Sequence, residues 1–227
     1  QARMLQRNGH KVSVLHCYLK GTFVESLKSR RGDYNLEDDN GIVTARIGVS
    51  PSLPKARALS YRRLEKVCSD YFKGYVGKNG QPDVIHSHSL FMGGVIGCSL
   101  SKQFNIPYFH TEHTSGFIFN PKQYTKSDIR ILNRVYPQAE NVFFVSQFAQ
   151  LKMKELYGLE NANLSVLNNV VNPLFFAPIL KAKEGGAEFN YLLIGALIPV
   201  KGIELLLSSW KKLLKSYPES KLTIVGK

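Results

Sequence analysis

The chain has 227 residues, 44% of them hydrophobic, with no low-complexity tract or internal repeat, so it has room for one full globular domain and part of another. No apolar run approaches the roughly 18 residues needed to span a membrane. Three widely spaced cysteines, Cys17, Cys68 and Cys98, fit buried thiols in a reducing compartment better than a disulfide framework or a zinc site. The formal net charge of +13 bears on partners, but no recognised nucleic-acid module or aromatic-interleaved basic patch is present, and nucleic acid is not an expected partner.

Gln1 to Asn8 reads as a helix already in progress, stopped at Gly9 and followed by a strand over Val12 to His16. A parallel strand reached through a helix needs a strand before that helix. No such strand precedes Gln1, and residue 1 is not Met, so the chain is expected to be an internal fragment of a longer protein. Further strands are predicted over Ile42 to Val49, Val84 to His88, Tyr108 to His110, Val142 to Val145 and Leu164 to Val166. Helices are predicted over Lys55 to Tyr75, Gly93 to Phe104, Ser127 to Tyr136 and Gln147 to Tyr157. This alternation predicts an α/β fold with a mainly parallel sheet. Asn172-Pro173 ends the run, the stretch to Gly185-Gly186 reads as a linker, and Phe189 opens a second strand–helix–strand series that closes on Lys221 to Gly226. The expected organisation is a first domain over 1–172, a linker over 173–187 and the start of a second domain over 188–227.

Between Pro54 and Lys78 there are seven basic residues and two acidic ones. At about 100° per residue Lys55, Arg62, Lys66 and Lys73 fall within about 20° of one line, while Tyr61, Leu64, Cys68, Tyr71 and Tyr75 take the opposite face. The stripe reads either as a solvated outer face or as a surface attracted to an anionic membrane, where each basic residue is worth about 1 kcal/mol.

His86 and His88 sit two apart on a strand and so share a face, as do His110 and Glu112, whereas His113 points the other way from those two if the chain stays extended. The five side chains therefore cannot converge without a sharp bend, and no metal is expected at them. His113 follows a strand end, where open α/β sheets place their ligands; the other reading is a histidine satisfied by loop backbone. Thr114-Ser115-Gly116 reads as a polar loop, and Ser146 as the cap of the following helix.

Tyr191 to Leu207 breaks from a strand at Gly195 and restarts as a helix near Lys201-Gly202. Free N–H groups in the first helical turn, the helix dipole and Lys201 make a seat for a phosphate; the alternative is a solvated lysine beside a turn glycine.

Taken in order these segments resemble the family 4 glycosyltransferases, retaining enzymes of the GT-B fold that move a sugar from a nucleotide-sugar donor between two Rossmann-like domains. The resemblance rests on Arg7 to Val14, on Asp83-Val84-Ile85-His86-Ser87-His88, on Ile106 to His113 with its Thr-x-His ending, and on Val142 to Gln147. It continues through Asn169 to Asn172 with Phe176, and through Gly195 to Gly202, which is similar to the family's Gly-Arg-Leu-x-x-x-Lys-Gly segment. It implies a hexosyltransferase-type enzyme with a nucleoside-diphosphate sugar donor, a saccharide or lipid-linked acceptor, and neither cofactor nor metal. His113 is implied beside the transferred sugar, Lys201, Gly202 and Gly195 at the donor diphosphate, and Thr111, Thr114, Ser115, His88 and Ser146 along the acceptor cleft. Ala196 stands where the family most often has a phosphate-binding arginine, so Lys201 and the helix N-terminus carry more of that task. The acidic donor-sugar motif would lie after Lys227 and the first glycine-rich loop before Gln1, so the fragment alone is expected to be inactive. The protein is expected in the cytoplasm, peripheral at the inner face of the membrane. Rival readings are a non-catalytic anion- or nucleotide-binding module, a nucleotide-sugar epimerase of the same fold, and a metal-dependent hydrolase built on His86 and His88.

Overall fold

A computed structural model describes residues 1–20, 33–50, 57–176 and 190–227. They divide into two compact units, Gln1–Val170 and Val171–Lys227. Of the predicted linker, Pro173–Phe176 forms a 3-10 turn, and residues 177–187 lie outside the described residues, as does Phe189.

The first unit opens with helix α1 (Ala2–Arg7), ended by Asn8 and by Gly9 at φ +84°, and enters strand β1 (Ser13–Leu19). β1 pairs in parallel with β3 (Val43–Val49), and β2 (Asp33–Asp38) lies antiparallel on the far side of β3. Sequence periodicity does not show β2, because Tyr34 and Leu36 are 60% and 54% exposed and the strand carries no buried face to impose an alternation. It is held by the ladder and by an ion pair from Arg46 Nε to Glu37 Oε2 at 2.6 Å.

Helix α2 (Arg57–Asn79) covers this sheet with Leu64, Cys68 and Phe72, all buried at helical spacing. Arg62, Lys66 and Lys73 stand exposed on its outer side; Lys55, the fourth residue of the stripe, lies outside the described residues. Cys17, Cys68 and Cys98 are free thiols. Cys17 Sγ lies 3.4 Å from Cys68 Sγ, and this hydrogen bond together with burial pushes the Cys68 thiol far above its ordinary value.

A second sheet holds β4 (Ile85–His88), β5 (Tyr108–Glu112), β6 (Asn141–Phe144) and β7 (Leu164–Val166), all parallel and in that order. Helix α3 (Val95–Phe104) links β4 to β5 and packs so closely that a Cβ on Gly97 would stand 2.9 Å from Ser87 and from the Tyr108 ring. Ile96, Leu100 and Ile106 join Ile47, Leu64 and Cys68 in one core cluster; Tyr108, Leu132, Tyr136 and Phe144 belong to a second beneath β5 and β6. α4 (Gly116–Phe119), α5 (Lys126–Val135) and α6 (Gln147–Tyr157) complete the unit. Thr125 and Asp128 form a reciprocal capping box on α5, and Ser146 caps α6 by accepting from the Ala149 N–H.

The second unit runs β8 (Asn190–Ile194), α7 (Ile203–Leu213) and β9 (Lys221–Val225), with β8 and β9 parallel. Trp210 packs edge-on against Tyr191 at 5.2 Å. Leu192, Ile194 and Leu205 are exposed, and Ser220 alone is buried among this unit's described residues, so those residues build no apolar core of their own.

Candidate active site

Parallel strands deliver their C-terminal ends to one edge of the sheet, and the chemistry-bearing residues collect there. His88 ends β4, Glu112 ends β5 with His113 next, and Ser146 follows β6. The β4–β5 register places Ser87 beside His110 and His88 beside Thr111, so strand alternation sorts the side chains into an inner and an outer group.

The inner group is Ser87, Tyr108, His110 and Glu112, all buried. Ser87 Oγ lies 2.7 Å from His110 Nδ1 and 2.8 Å from the Tyr108 hydroxyl, and that hydroxyl donates to the Gly94 carbonyl at 3.2 Å. Glu112 is an acceptor for donors from four segments. Its Oε1 accepts from the Thr114 N–H at 2.7 Å; its Oε2 accepts from the Tyr136 hydroxyl at 2.8 Å and the Leu90 N–H at 3.1 Å, with His110 Nε2 at 3.5 Å. Burial pushes the Glu112 carboxyl up, but the facing His110 and the Thr114 donors outweigh it and hold the group below the usual carboxylate range. Burial and the Glu112 carboxylate push the Tyr136 phenol well up.

This carboxylate fastens a strained turn. Ser89 and Met92 have φ of 62° and 64°, and a Cβ on Gly93 would run into the His88 carbonyl oxygen. The predicted helix start at Gly93 is thus a π-type turn over Leu90–Gly94, with α3 beginning at Val95. Such backbone persists where its surroundings over-determine it, here through Leu90 N–H to Glu112, Ser89 N–H to the Thr111 carbonyl and Gly94 N–H to the Ser89 carbonyl. Sequence reading weighed Glu112 only as a metal ligand and missed Tyr136, because the partners of the carboxylate come from residues 90, 114 and 136.

The outer group is His86, His88, Thr111 and His113. His86 Nε2 lies 2.8 Å from Thr111 Oγ1, and His88 Nδ1 lies 2.9 Å from His113 Nε2. The His88 ring packs between His86 at 4.6 Å and His113 at 5.2 Å, the latter stacked at 24°. Each ring keeps exposed surface, yet desolvation within the packed group, followed by the neighbouring imidazoles His86 and His113, brings His88 down to about 4, and desolvation also lowers His86. His88 is therefore a neutral ring at neutral pH. Among the described residues, no group of three or more His, Cys, Asp or Glu is arranged to hold a metal ion.

The structure brings His88 and His113 together and sets Thr114, half-buried, and Ser115, exposed, immediately beyond them. Thr111 is fully buried with its hydroxyl engaged by His86, so it supports His86 from below. The predicted polar loop is shorter than expected, since Gly116–Phe119 is a turn of helix. A cavity of about 250 Å³ between α6 and β7, lined by Gln150, Lys154, Leu159 and Leu164 among others, lies toward the opposite end of α6 from Ser146.

In the second unit a 3-10 turn over Pro199–Lys201 leads into Gly202 at φ 66°, which precedes the first turn of α7 with no side-chain cap. Lys201 is exposed, and among the described residues nothing lies within 4 Å of a Cβ built on Gly195 or Gly202. The first-turn N–H groups of α7 have no intrahelical acceptor.

The model of Glycosyltransferase Family 4 matches residues 1–174. The chain belongs to glycosyltransferase family 4. An uncharacterized glycosyltransferase of Methanocaldococcus jannaschii is 26% identical over 215 residues, covering 88% of this chain and 55% of that protein. Among solved structures, the catalytic domain of starch synthase IV from Arabidopsis thaliana, bound to ADP and acarbose, superposes with a TM-score of 0.63 at 13% identity, covering 99% of this chain and 63% of its own. A glycosyltransferase from Rickettsia africae gives 0.58 at 14% identity, covering 100% and 63%. Arabidopsis UGT89C1, complexed with UDP-L-rhamnose, gives 0.51 at 10%, covering 99% and 64%. These likenesses establish a Rossmann-like α/β fold of the GT-B kind. The chain spans 55% of the curated relative and under two thirds of the solved chains. Among the described residues no helix is long and apolar enough to cross a membrane.

Proposed function

We propose that this family 4 protein transfers a hexosyl group, with retention, from a nucleoside-diphosphate sugar to a saccharide or lipid-linked acceptor. The observation that carries the reading is His113, exposed at the C-terminal edge of the parallel sheet, fixed through its Nε2 and flanked by Thr114 and Ser115. In this reading His113 hydrogen-bonds a hydroxyl of the transferred sugar or the leaving phosphate, and Thr114, Ser115 and Ser146 line the acceptor side. Lys201 and the N–H groups that open α7 meet the negative charge on the diphosphate, with Gly195 leaving room for its approach. One donor to the departing diphosphate is worth about 1.5–3 kcal/mol. The nucleotide-linked molecules named for two structural neighbours, ADP and UDP-L-rhamnose, favour this donor class. No step is assigned to a metal or cofactor. The exposed Arg62, Lys66 and Lys73 would bring the protein to an anionic membrane surface on the cytoplasmic side, where lipid-linked acceptors reside.

The test is incubation of the full-length protein with a panel of UDP-, GDP- and ADP-linked sugars, measuring nucleoside diphosphate release and the anomeric configuration of the product by NMR. Release that is insensitive to EDTA and gives a retained anomer is expected. Absence of transfer from every donor, with binding of the nucleotide preserved, would favour the anion-binding module; inversion at the anomeric carbon would refute retention.

A further inference from the structure

We propose that His88 is a positioning residue that joins His113 in a single hydrogen-bonding unit, so that Nδ1 of His113 is the ring atom presented to the reacting group. The inference rests on the transferase reading for its chemistry, but its geometry stands alone. The two rings are stacked at 5.2 Å, and the His88 Nδ1 to His113 Nε2 separation is 2.9 Å, the length of an N–H···N bond.

Such a bond holds one proton between two nitrogens. In the neutral pair, either His88 Nδ1–H donates to His113 Nε2 and His113 carries its other proton on Nδ1, or His113 Nε2–H donates to His88 Nδ1 and leaves His113 Nδ1 as an acceptor. In both arrangements Nε2 of His113 is occupied and Nδ1 is the free position. The second ring thus does for His113 what an orienting partner does for any catalytic imidazole: it selects the nitrogen that works.

Several features hold His88 in place for this task. The β4–β5 register sets it beside Thr111, and alternation then places His113, two residues on, on the same face. His86 backs its ring at 4.6 Å and is itself tied to Thr111 at 2.8 Å. Of the other titratable neighbours, His110 lies buried on the inner face and is engaged with Ser87. The two-residue spacing of His86 and His88 thus sets both rings on the face where they support and orient His113.

The experiment compares His88→Asn, His88→Gln and His88→Leu in the full-length protein. The Asn amide reaches the place of Nδ1, the Gln amide reaches that of Nε2, and Leu reaches neither as a polar group. His88→Leu and His88→Gln are expected to lower kcat about 10- to 100-fold, the range for misplacing a reacting group by a fraction of an ångström to an ångström, with the donor KM within about twofold. His88→Asn is expected to stay within about fivefold of wild type. Two-bond ¹⁵N–¹H spectra of histidine-labelled protein read the His113 tautomer directly: one tautomer in the wild type and His88→Asn, averaged nitrogens in His88→Leu. Wild-type kcat in His88→Leu, or Gln rescuing as well as Asn, would overturn the proposal. Should no donor be turned over, the transferase reading fails, and unchanged His113 nitrogen shifts in His88→Leu would then overturn the positioning role independently.

Discussion

Replacing Glu112 with Gln tests whether one buried carboxylate holds the turn and loop that frame the site. Gln keeps one carbonyl oxygen and turns the other into an amide NH₂. Three donors converge on Oε2, from Leu90, Tyr136 and His110, whereas Oε1 accepts from the Thr114 N–H at 2.7 Å. The variant does best by keeping its oxygen at the Oε2 position, which faces the NH₂ against the Thr114 N–H and loses that bond. Loss of one hydrogen bond to a charged acceptor removes about 1.5–3 kcal/mol, and the remaining donors now meet a neutral oxygen. Relief of the buried charge offsets part of this. The net expectation is about 2–3 kcal/mol, and at about 2–4 °C per kcal/mol for a domain of this size Tm falls by about 4–12 °C. The sign with pH follows from the depressed carboxyl. Its stabilisation is fully present above the unfolded value of 4.5 and is lost as pH falls through the lower folded value, so the gap between wild type and variant narrows in acid. Thermal unfolding by circular dichroism between pH 7 and pH 3 measures both quantities. A variant within about 0.5 kcal/mol of wild type at pH 7, or a gap that does not narrow below pH 4.5, would refute the assignment.

Lys201→Ala is expected to weaken binding of a nucleoside-diphosphate sugar about tenfold to a hundredfold, the loss of one charge-assisted phosphate contact. Ala196 supplies no second side-chain cation there, and unchanged affinity by titration calorimetry would remove Lys201 from the site. His113→Ala is expected to lower kcat much more than donor affinity, because its partner bears the changing charge; wild-type turnover at normal stability would leave it a loop histidine. Replacing Lys55, Arg62, Lys66 and Lys73 by Gln is expected to reduce co-sedimentation with anionic vesicles at low salt, by at most about 4 kcal/mol. No binding by the wild type, or equal binding by the variant, would mark the stripe as a solvated face.

The regular core was legible because its signals are local. α6 over Gln147–Tyr157 and β7 over Leu164–Val166 have the predicted bounds, each set by a cap or by a short apolar run flanked by polar residues. The two-residue spacing of His86 and His88, and of His110 and Glu112, correctly showed which side chains share a face, though not which face is buried. What was not legible depends on contacts distant in sequence. β2 has two wet faces and is paired only because β3 offers an edge. The helix start at Gly93 was misplaced because Met92 takes φ 64°, a strained conformation imposed by Glu112, Thr111 and the close approach of Gly93 to His88.

The division of labour along β5 explains why strain and reactivity sit so near one another. On the inner face His110 and Glu112 are sealed from solvent, where a carboxylate accepting several hydrogen bonds keeps its full strength because no water competes for its donors. One residue later His113 emerges on the outer face, exposed and hydrogen-bonded to the neutral His88 ring. A rigid anchor and an exposed imidazole thus lie one peptide apart, and the same carboxylate fastens Leu90, just past His88, and Thr114, just past His113. Loosening Glu112 would therefore move both halves of the histidine pair at once. Preorganisation of His113 comes from the sealed side of the sheet, and the chemistry proposed for it belongs to the open side.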